Sequence, residues 1–221
     1  MSAAMLLKDE REALVEHSRR LRPDGLVVGT SGNLSVRAGD LVAVTPSGLD
    51  YDDLTPDLVC VCDMDGNVVD GELAPTSEMP MHLAVYRSTD HRAVVHTHST
   101  AATVVSTLVD ELPSVHYLVA MFGGPIRVAP YATFGTQRLA DNTLAALADR
   151  AGCILGNHGT LTVGPGLPKA YTLNIYLEWL CEVWLRADAA GRPRILPAEE
   201  IELVRRKVAT YGQTARAGAA S

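Results

Sequence analysis

The chain has 221 residues, 47% hydrophobic and 20% charged, enough for one substantial domain around a single core and tight for two. Its 19 Lys+Arg against 26 Asp+Glu give a formal net charge of -7, which excludes nucleic-acid binding through a broad basic face. No run of about 18 apolar residues exists to span a membrane, and Met1 to Glu10 lack the basic-then-apolar order of a secretory leader.

Residues 5–22 predict an amphipathic helix, with Leu6, Leu7, Leu14 and Leu21 near helical spacing and Pro23 and Gly25 as its stop. Residues 33–37 alternate, turn at Gly39-Asp40 and continue into a second short strand over 41–44. Residues 58–62 and 68–69 form another strand pair joined by Asp65-Gly66-Asn67. A short helix spans 78–88. Residues 93–98 form a strand that runs from apolar residues into two histidines, and a helix over 100–108 follows. The second half predicts a strand over 126–129, a helix over 137–150, strands over 153–155 and 160–163, and helices over 168–189 and 197–211, with a frayed tail from about 213. Hairpin-rich strands mixed with covering helices predict a mostly antiparallel sheet between helix layers rather than a doubly wound dinucleotide fold. The whole chain reads as one domain. Cys60, Cys62, Cys153 and Cys181 lack Cys-x-x-Cys spacing, and are expected as free thiols in a reducing cytoplasm.

His96-Thr97-His98 is the sharpest chemical feature. Residues two apart on a strand share a face, so both imidazoles can grip one cation. A bare His-x-His is short, and two ordinary hydrogen-bonded histidines explain it about as well. His158, in the tight turn Asn157-His158-Gly159, stands where a third ligand would converge. Glu78 opens a helix, so a first-turn partner of the helix dipole is its plain reading. Together the three imidazoles and one carboxylate make a plausible four-coordinate zinc site. His82 lies one helical turn after Glu78 and faces the same way. His17 is expected on the solvated side of the first helix. His91 and His116 carry little signal.

Three turns share another chemistry: Thr30-Ser31-Gly32-Asn33, Thr45-Pro46-Ser47-Gly48 and Pro75-Thr76-Ser77-Glu78. Each offers hydroxyls and backbone N–H groups, and the third opens a helix whose free N–H groups favour an anion. Jointly they could cradle a phosphate without an arginine clamp; singly, each is an ordinary turn composition. Trp179, Trp184, Leu173, Leu177 and Leu180 read as a packing stripe. Of the three lysines, Lys8 and Lys207 lie in terminal helices and Lys169 at a helix start. None sits on an apolar strand where burial would lower its pKa for Schiff-base chemistry.

In this order, from about residue 8 to 212, these motifs resemble the zinc-dependent class II aldolases of the fuculose-1-phosphate aldolase/ribulose-5-phosphate 4-epimerase superfamily, the adducin-like fold, with most likeness to its fuculose-phosphate members. The resemblance implies a three-layer α/β/α unit with a largely antiparallel sheet, assembled as a homotetramer. It implies zinc held by Glu78, His96, His98 and His158, and a sugar phosphate held by Thr30, Asn33, Ser47, Gly48, Thr76 and Ser77. It further implies Glu78 as general base, Tyr117 projecting into a neighbouring subunit's site, Tyr211 closing over it and Phe134 lining an aldehyde pocket. The implied activity is reversible cleavage of a ketose 1-phosphate, of the fuculose 1-phosphate, 5-deoxyribulose 1-phosphate or ribulose 1-phosphate type, to dihydroxyacetone phosphate and a short aldehyde. Epimerase and methylthioribulose-1-phosphate dehydratase chemistry on the same metal, and a non-catalytic adducin-like scaffold, are the alternatives. The epimerase is expected to carry an acidic residue near the place of Tyr117.

Overall fold

A computed structural model describes residues 5–209, so Tyr211 and the tail from about 213 lie outside the described residues. The elements are α1 (Lys8–Arg20), β1 (Gly32–Ala38), β2 (Leu41–Val44), β3 (Cys60–Asp63), β4 (Val68–Asp70), α2 (Met79–Ser88) and β5 (Ala93–Thr97). Then come α3 (Thr100–Val105), β6 (Glu111–Leu112), β7 (Ile126–Ala129), α4 (Gln137–Leu147), β8 (Gly152–Leu155), β9 (Gly159–Gly164), α5 (Leu167–Ala190) and α6 (Ala198–Ala209). The sheet order is β4-β3-β2-β1-β5-β9-β8-β7-β6. Every neighbouring pair is antiparallel except β7 with β8. That one parallel pair is joined through α4, the crossover that a parallel connection requires. The expected antiparallel sheet between helices is therefore the observed one.

Alternation along the strands sorts their side chains into two layers. Val42, Val44, Cys60, Cys62, Val94, Leu161 and Val163 face α2 and α4. Ala43, Val61, Ala93 and Val95 face α1 and the start of α5, while Ile154 packs with α3 and Leu173, Leu177, Leu180 and Trp184 of α5. Each fully buried aliphatic side chain contributes roughly 1.5–3 kcal/mol of transfer free energy, so both faces hold the sheet. All four cysteines are free and buried in these layers.

Three expectations change. His17 is not solvated: it is buried, its ring meets Tyr171 edge-on at 5.2 Å and its Nδ1 pairs with the Ala13 carbonyl. The long helix α5 covers that side of α1, which the helical periodicity of α1 alone could not reveal. Trp179 leaves the packing stripe; it is 41% exposed, with its ring against His116. The two-residue β6 and the 3-10 turns at Pro56–Leu58 and Tyr117–Phe122 were not anticipated, because elements this short carry no periodicity.

Candidate metal centre

β5 is paired on one side with β1 and on the other with β9, which puts His96 at the centre of the sheet. His98 follows just past the strand end. Between β8 and β9 the chain turns through Gly156-Asn157-His158, with Asn157 in the left-handed region at φ 52°. The turn closes against β5 so tightly that a Cβ on Gly159 would lie 2.1 Å from the Thr97 carbonyl oxygen. Only glycine permits that approach, and it brings His158 to the other two rings. The three imidazole centroids are 4.7 to 4.9 Å apart.

Glu78 supplies the fourth group. It sits at the N-cap of α2, yet its carboxylate caps no helical N–H. Oε2 accepts from Asn33 Nδ2 at 3.0 Å and lies 2.9 Å from His96 Nε2. Oε1 is buried without a hydrogen-bond partner, 3.4 Å from His158 Nε2. A buried, orphaned carboxylate oxygen costs on the order of 1–3 kcal/mol or more unless something completes it. His96 Nδ1 pairs with the Thr160 carbonyl at 2.8 Å, so Nδ1 carries a proton and Nε2 is the atom that could ligate. One ligand atom from each of Glu78, His96, His98 and His158 lies within 4.8 Å of the others. Three imidazoles and a carboxylate are a borderline-soft donor set that suits a divalent transition metal, and the orphaned oxygen marks where the cation would complete the group.

The electrostatics of the metal-free site agree. Burial and the neighbouring rings His96 and His158 push His98 down to about 3. Burial and His96 push His158 down to about 4. Both rings thus offer lone pairs at neutral pH. Burial opposes charge on His96, but the Glu78 carboxylate outweighs it and raises the ring's pKa. Burial likewise opposes ionisation of Glu78, and His96 together with the Asn33 hydrogen bond overrides it and holds the carboxyl well below its usual range.

Beside this group opens a cavity of about 300 Å³. All three sequence turns reach it: Thr30 to Asn33, Pro46 to Gly48, and Thr76 to Glu78, with His98, Asn157, His158, Tyr131, Ala132 and Phe134 completing the wall. Backbone bonds tie two of the turns together, Ser47 N–H to the Ala74 carbonyl and Thr76 N–H to the Thr45 carbonyl. Gly48, at φ +69°, adopts the left-handed backbone that this turn needs. Thr30, Ser47, Gly48 and Ser77 are exposed towards the opening. Asn33 and Thr76 are buried and engaged with Glu78, the first through its amide and the second by accepting the Glu78 N–H on Oγ1. Thr76 also takes the Met79 N–H on its carbonyl, so the start of α2 keeps fewer free donors than its sequence suggests. Among the described residues no Lys or Arg lines the cavity.

Tyr117 does not reach this cavity. It is 50% exposed at the start of its 3-10 turn, stacked on His116. Phe134 lines the rim and is 63% exposed. Tyr131, Ala132 and Asn157 were not singled out from sequence; Tyr131 lies three residues before Phe134 and Asn157 directly precedes His158, so adjacency was the available signal.

Residues 12–185 match the family model described as "Class II Aldolase and Adducin N-terminal domain". The chain is 40% identical over 212 residues to a 5-deoxy-D-ribulose 1-phosphate aldolase of Bacillus thuringiensis serovar kurstaki, covering 95% of this chain and 100% of the relative. It is 42% identical to a 5-methylthioribulose-1-phosphate/5-deoxyribulose-1-phosphate aldolase of Rhodospirillum rubrum, covering 93% and 94%, and 40% identical to an L-fuculose phosphate aldolase of Escherichia coli, covering 85% and 88%. A solved L-fuculose 1-phosphate aldolase superposes with a TM-score of 0.90 at 38% identity, covering 94% of this chain and all of the other.

Proposed function

The chain belongs to the class II aldolase and adducin N-terminal domain family, and on that premise we propose that it is a lyase cleaving a ketose 1-phosphate, with a divalent metal, to dihydroxyacetone phosphate and a short aldehyde. The observation that carries this reading is the junction of two features: a three-histidine, one-carboxylate group and, beside it, a cavity walled by hydroxyl-bearing turns with no Lys or Arg among the described residues. Relatives named as aldolases for 5-deoxyribulose 1-phosphate, 5-methylthioribulose 1-phosphate and fuculose phosphate support the substrate class.

Breaking the carbon–carbon bond leaves negative charge on the ketose oxygens; Glu78, His96, His98 and His158 would hold a cation that would supply Lewis-acid stabilisation there. The donor set favours zinc. Thr30, Asn33, Ser47, Gly48, Thr76 and Ser77 would orient the phosphate, converting substrate binding into alignment of the scissile bond. Glu78, hydrogen-bonded by Asn33, is proposed to give up its ligand position as substrate enters and then to act as general base at the carbon that loses or gains a proton. Phe134, with Tyr131 and Ala132, gives the rim an apolar side, which favours an aldehyde ending in a methyl group. Tyr117 is proposed as the proton donor to the aldehyde oxygen of a neighbouring subunit's site in a homotetramer; its half-exposed position outside its own cavity supports that. Tyr211 is proposed to close over the site. No helix among the described residues is long and apolar enough to cross a membrane, and the free, buried thiols support a cytoplasmic location.

A coupled assay for dihydroxyacetone phosphate with 5-deoxyribulose 1-phosphate, fuculose 1-phosphate and ribulose 1-phosphate tests the reading. Turnover of the methyl-ended substrates above ribulose 1-phosphate is expected. No product from any of the three with metal-loaded protein overturns it.

A further inference from the structure

Behind Glu78, on the side away from the cavity, a buried line of polar groups joins α2 to β1. Tyr86 Oη is 2.6 Å from Ser35 Oγ, and Ser35 Oγ is 2.6 Å from His82 Nδ1. His82 Nε2 is 2.6 Å from Asn33 Oδ1, and Asn33 Nδ2 donates to Glu78 Oε2 at 3.0 Å. Ser35 and His82 have no exposed surface, and Tyr86 has 1%.

The sense of every bond follows from the carboxylate. An ionised carboxylate only accepts, so the NH₂ of Asn33 must face Glu78 and its carbonyl must face His82. The ring nitrogen against that carbonyl must therefore carry the proton, so His82 is the Nε2–H tautomer. Burial keeps the ring neutral at neutral pH, which leaves Nδ1 as an acceptor. Ser35 must donate to it, and Tyr86 must then donate to Ser35. Five groups form one chain with a single direction: every link from Tyr86 to Glu78 Oε2 has its donor and its acceptor, and Glu78 Oε1 at its end stays unpaired.

We propose that His82 is a positioning residue for Glu78: its Nε2–H fixes the orientation of the Asn33 amide, and Ser35 and Tyr86 lock the tautomer that makes this possible. If the ring turned to the Nδ1–H tautomer, the Asn33 amide would invert to meet it. Its carbonyl oxygen would then oppose Glu78 Oε2, driving the carboxylate from its place and turning an acceptor towards the bound phosphate. A side chain that never touches substrate thus sets both polar functions of Asn33. The inference rests on the proposed role of Glu78 but concerns only residues of this chain.

Two measurements test it. The first is the long-range ¹H–¹⁵N spectrum of the histidine rings in metal-free protein, which reports tautomers directly. An Nε2–H tautomer for His82 is expected, with Ser35→Ala producing a mixture. A wild-type Nδ1–H or doubly protonated ring overturns the proposal. The second exploits amide geometry, since a glutamine side chain places its NH₂ near the Nε2 position of histidine and asparagine near Nδ1. His82→Asn is expected to lower kcat about 10–100-fold, with His82→Gln restoring it to within about threefold of wild type. Equal losses in both variants mean that His82 only fills space, and overturn the proposal. Where His82→Asn does not fold, the wild-type spectrum and Ser35→Ala still decide. Wild-type protein inactive on all three substrates would sink the aldolase reading, while the ring spectrum would still judge the chain.

Discussion

The same central strands carry a buried polar cluster on each face of the sheet. On the α2 face, Asn33 and Ser35 of β1 and His96 of β5 meet Glu78 and His82. On the α5 face, one residue out of register, Thr97 of β5 and Thr160 and Thr162 of β9 meet Asn174. The second cluster is closed. Thr97 donates to Asn174 Oδ1 at 2.6 Å, Asn174 Nδ2 reaches the Thr160 and Thr162 hydroxyls at 3.2 Å, and Thr162 donates to the Ala170 carbonyl at 2.8 Å. The first is open: Glu78 Oε1 has no partner and the imidazole lone pairs converge on shared space. Burial and polarity are alike on the two sides. The difference is satisfaction, and it separates a closed cluster that pins α5 to the sheet from an open one that could take a ligand.

Substitutions on either side sharpen or break that contrast. His96→Ala should have the largest effect, losing the metal by elemental analysis and lowering turnover by about a thousandfold, the loss of several kcal/mol of Lewis-acid stabilisation. Retained metal would mean that His96 is not a ligand. Glu78→Gln should keep much of the metal through three imidazoles while kcat falls about a hundredfold or more; full turnover would remove Glu78 as the base. Asn174→Ala should do the reverse. Unpairing the three threonines should cost about 2–3 kcal/mol in urea denaturation, with metal content and kcat per folded molecule within about twofold of wild type. A loss of metal there would show that the two faces are coupled.

The smallest effect separates the faces by pH. In the folded, metal-free chain His82 and His98 sit at about 3 and His158 at about 4, against an ordinary 6.5. Below 6.5 the unfolded chain takes protons that these buried rings refuse. Stability should therefore fall as the pH drops from about 6.5 towards 4, by at most about 1.4 kcal/mol per pH unit per ring. The raised His96 acts oppositely, its contribution being lost as pH rises through its folded pKa. The Asn174 cluster itself is three threonines and an amide, none of which titrates in this range, so Asn174→Ala should shift the whole stability–pH curve without changing its slope. A flat wild-type curve between pH 7 and 5 would contradict the burial of these rings.

Much of this was legible in the residues. The alternation in β1 and β2, the apolar run into His96 and the helical stripes of α4 and α5 are periodic, and their elements formed within a few residues of the expected bounds. That Glu78, His96, His98 and His158 lie together was legible in part: imidazoles two apart on a strand share a face and a histidine in a tight turn can converge on them, while Glu78 reads as readily as a helix-dipole partner. Ser35, Tyr86 and Asn174 were not legible, because serine, tyrosine and asparagine at such positions are ordinary, and only distant partners give them roles: Ser35 lies 51 residues from Tyr86 and 47 from His82, and Asn174 lies 77 from Thr97. His17 was misplaced for the same reason.

By itself, the sequence determined the kind of chemistry, since residue type fixes which atoms ligate, donate or ionise, and local spacing fixes which of them share a strand face. Whether those atoms meet is a matter of pairing. The register of β5 between β1 and β9, and the close approach allowed at Gly159, decided that the distant His158 meets His96 and His98 around a space one cation could fill. The same pairing decided which of two equally polar faces was left with an unpaired carboxylate oxygen, because only tertiary contacts determine whether a buried hydrogen-bonding group is satisfied.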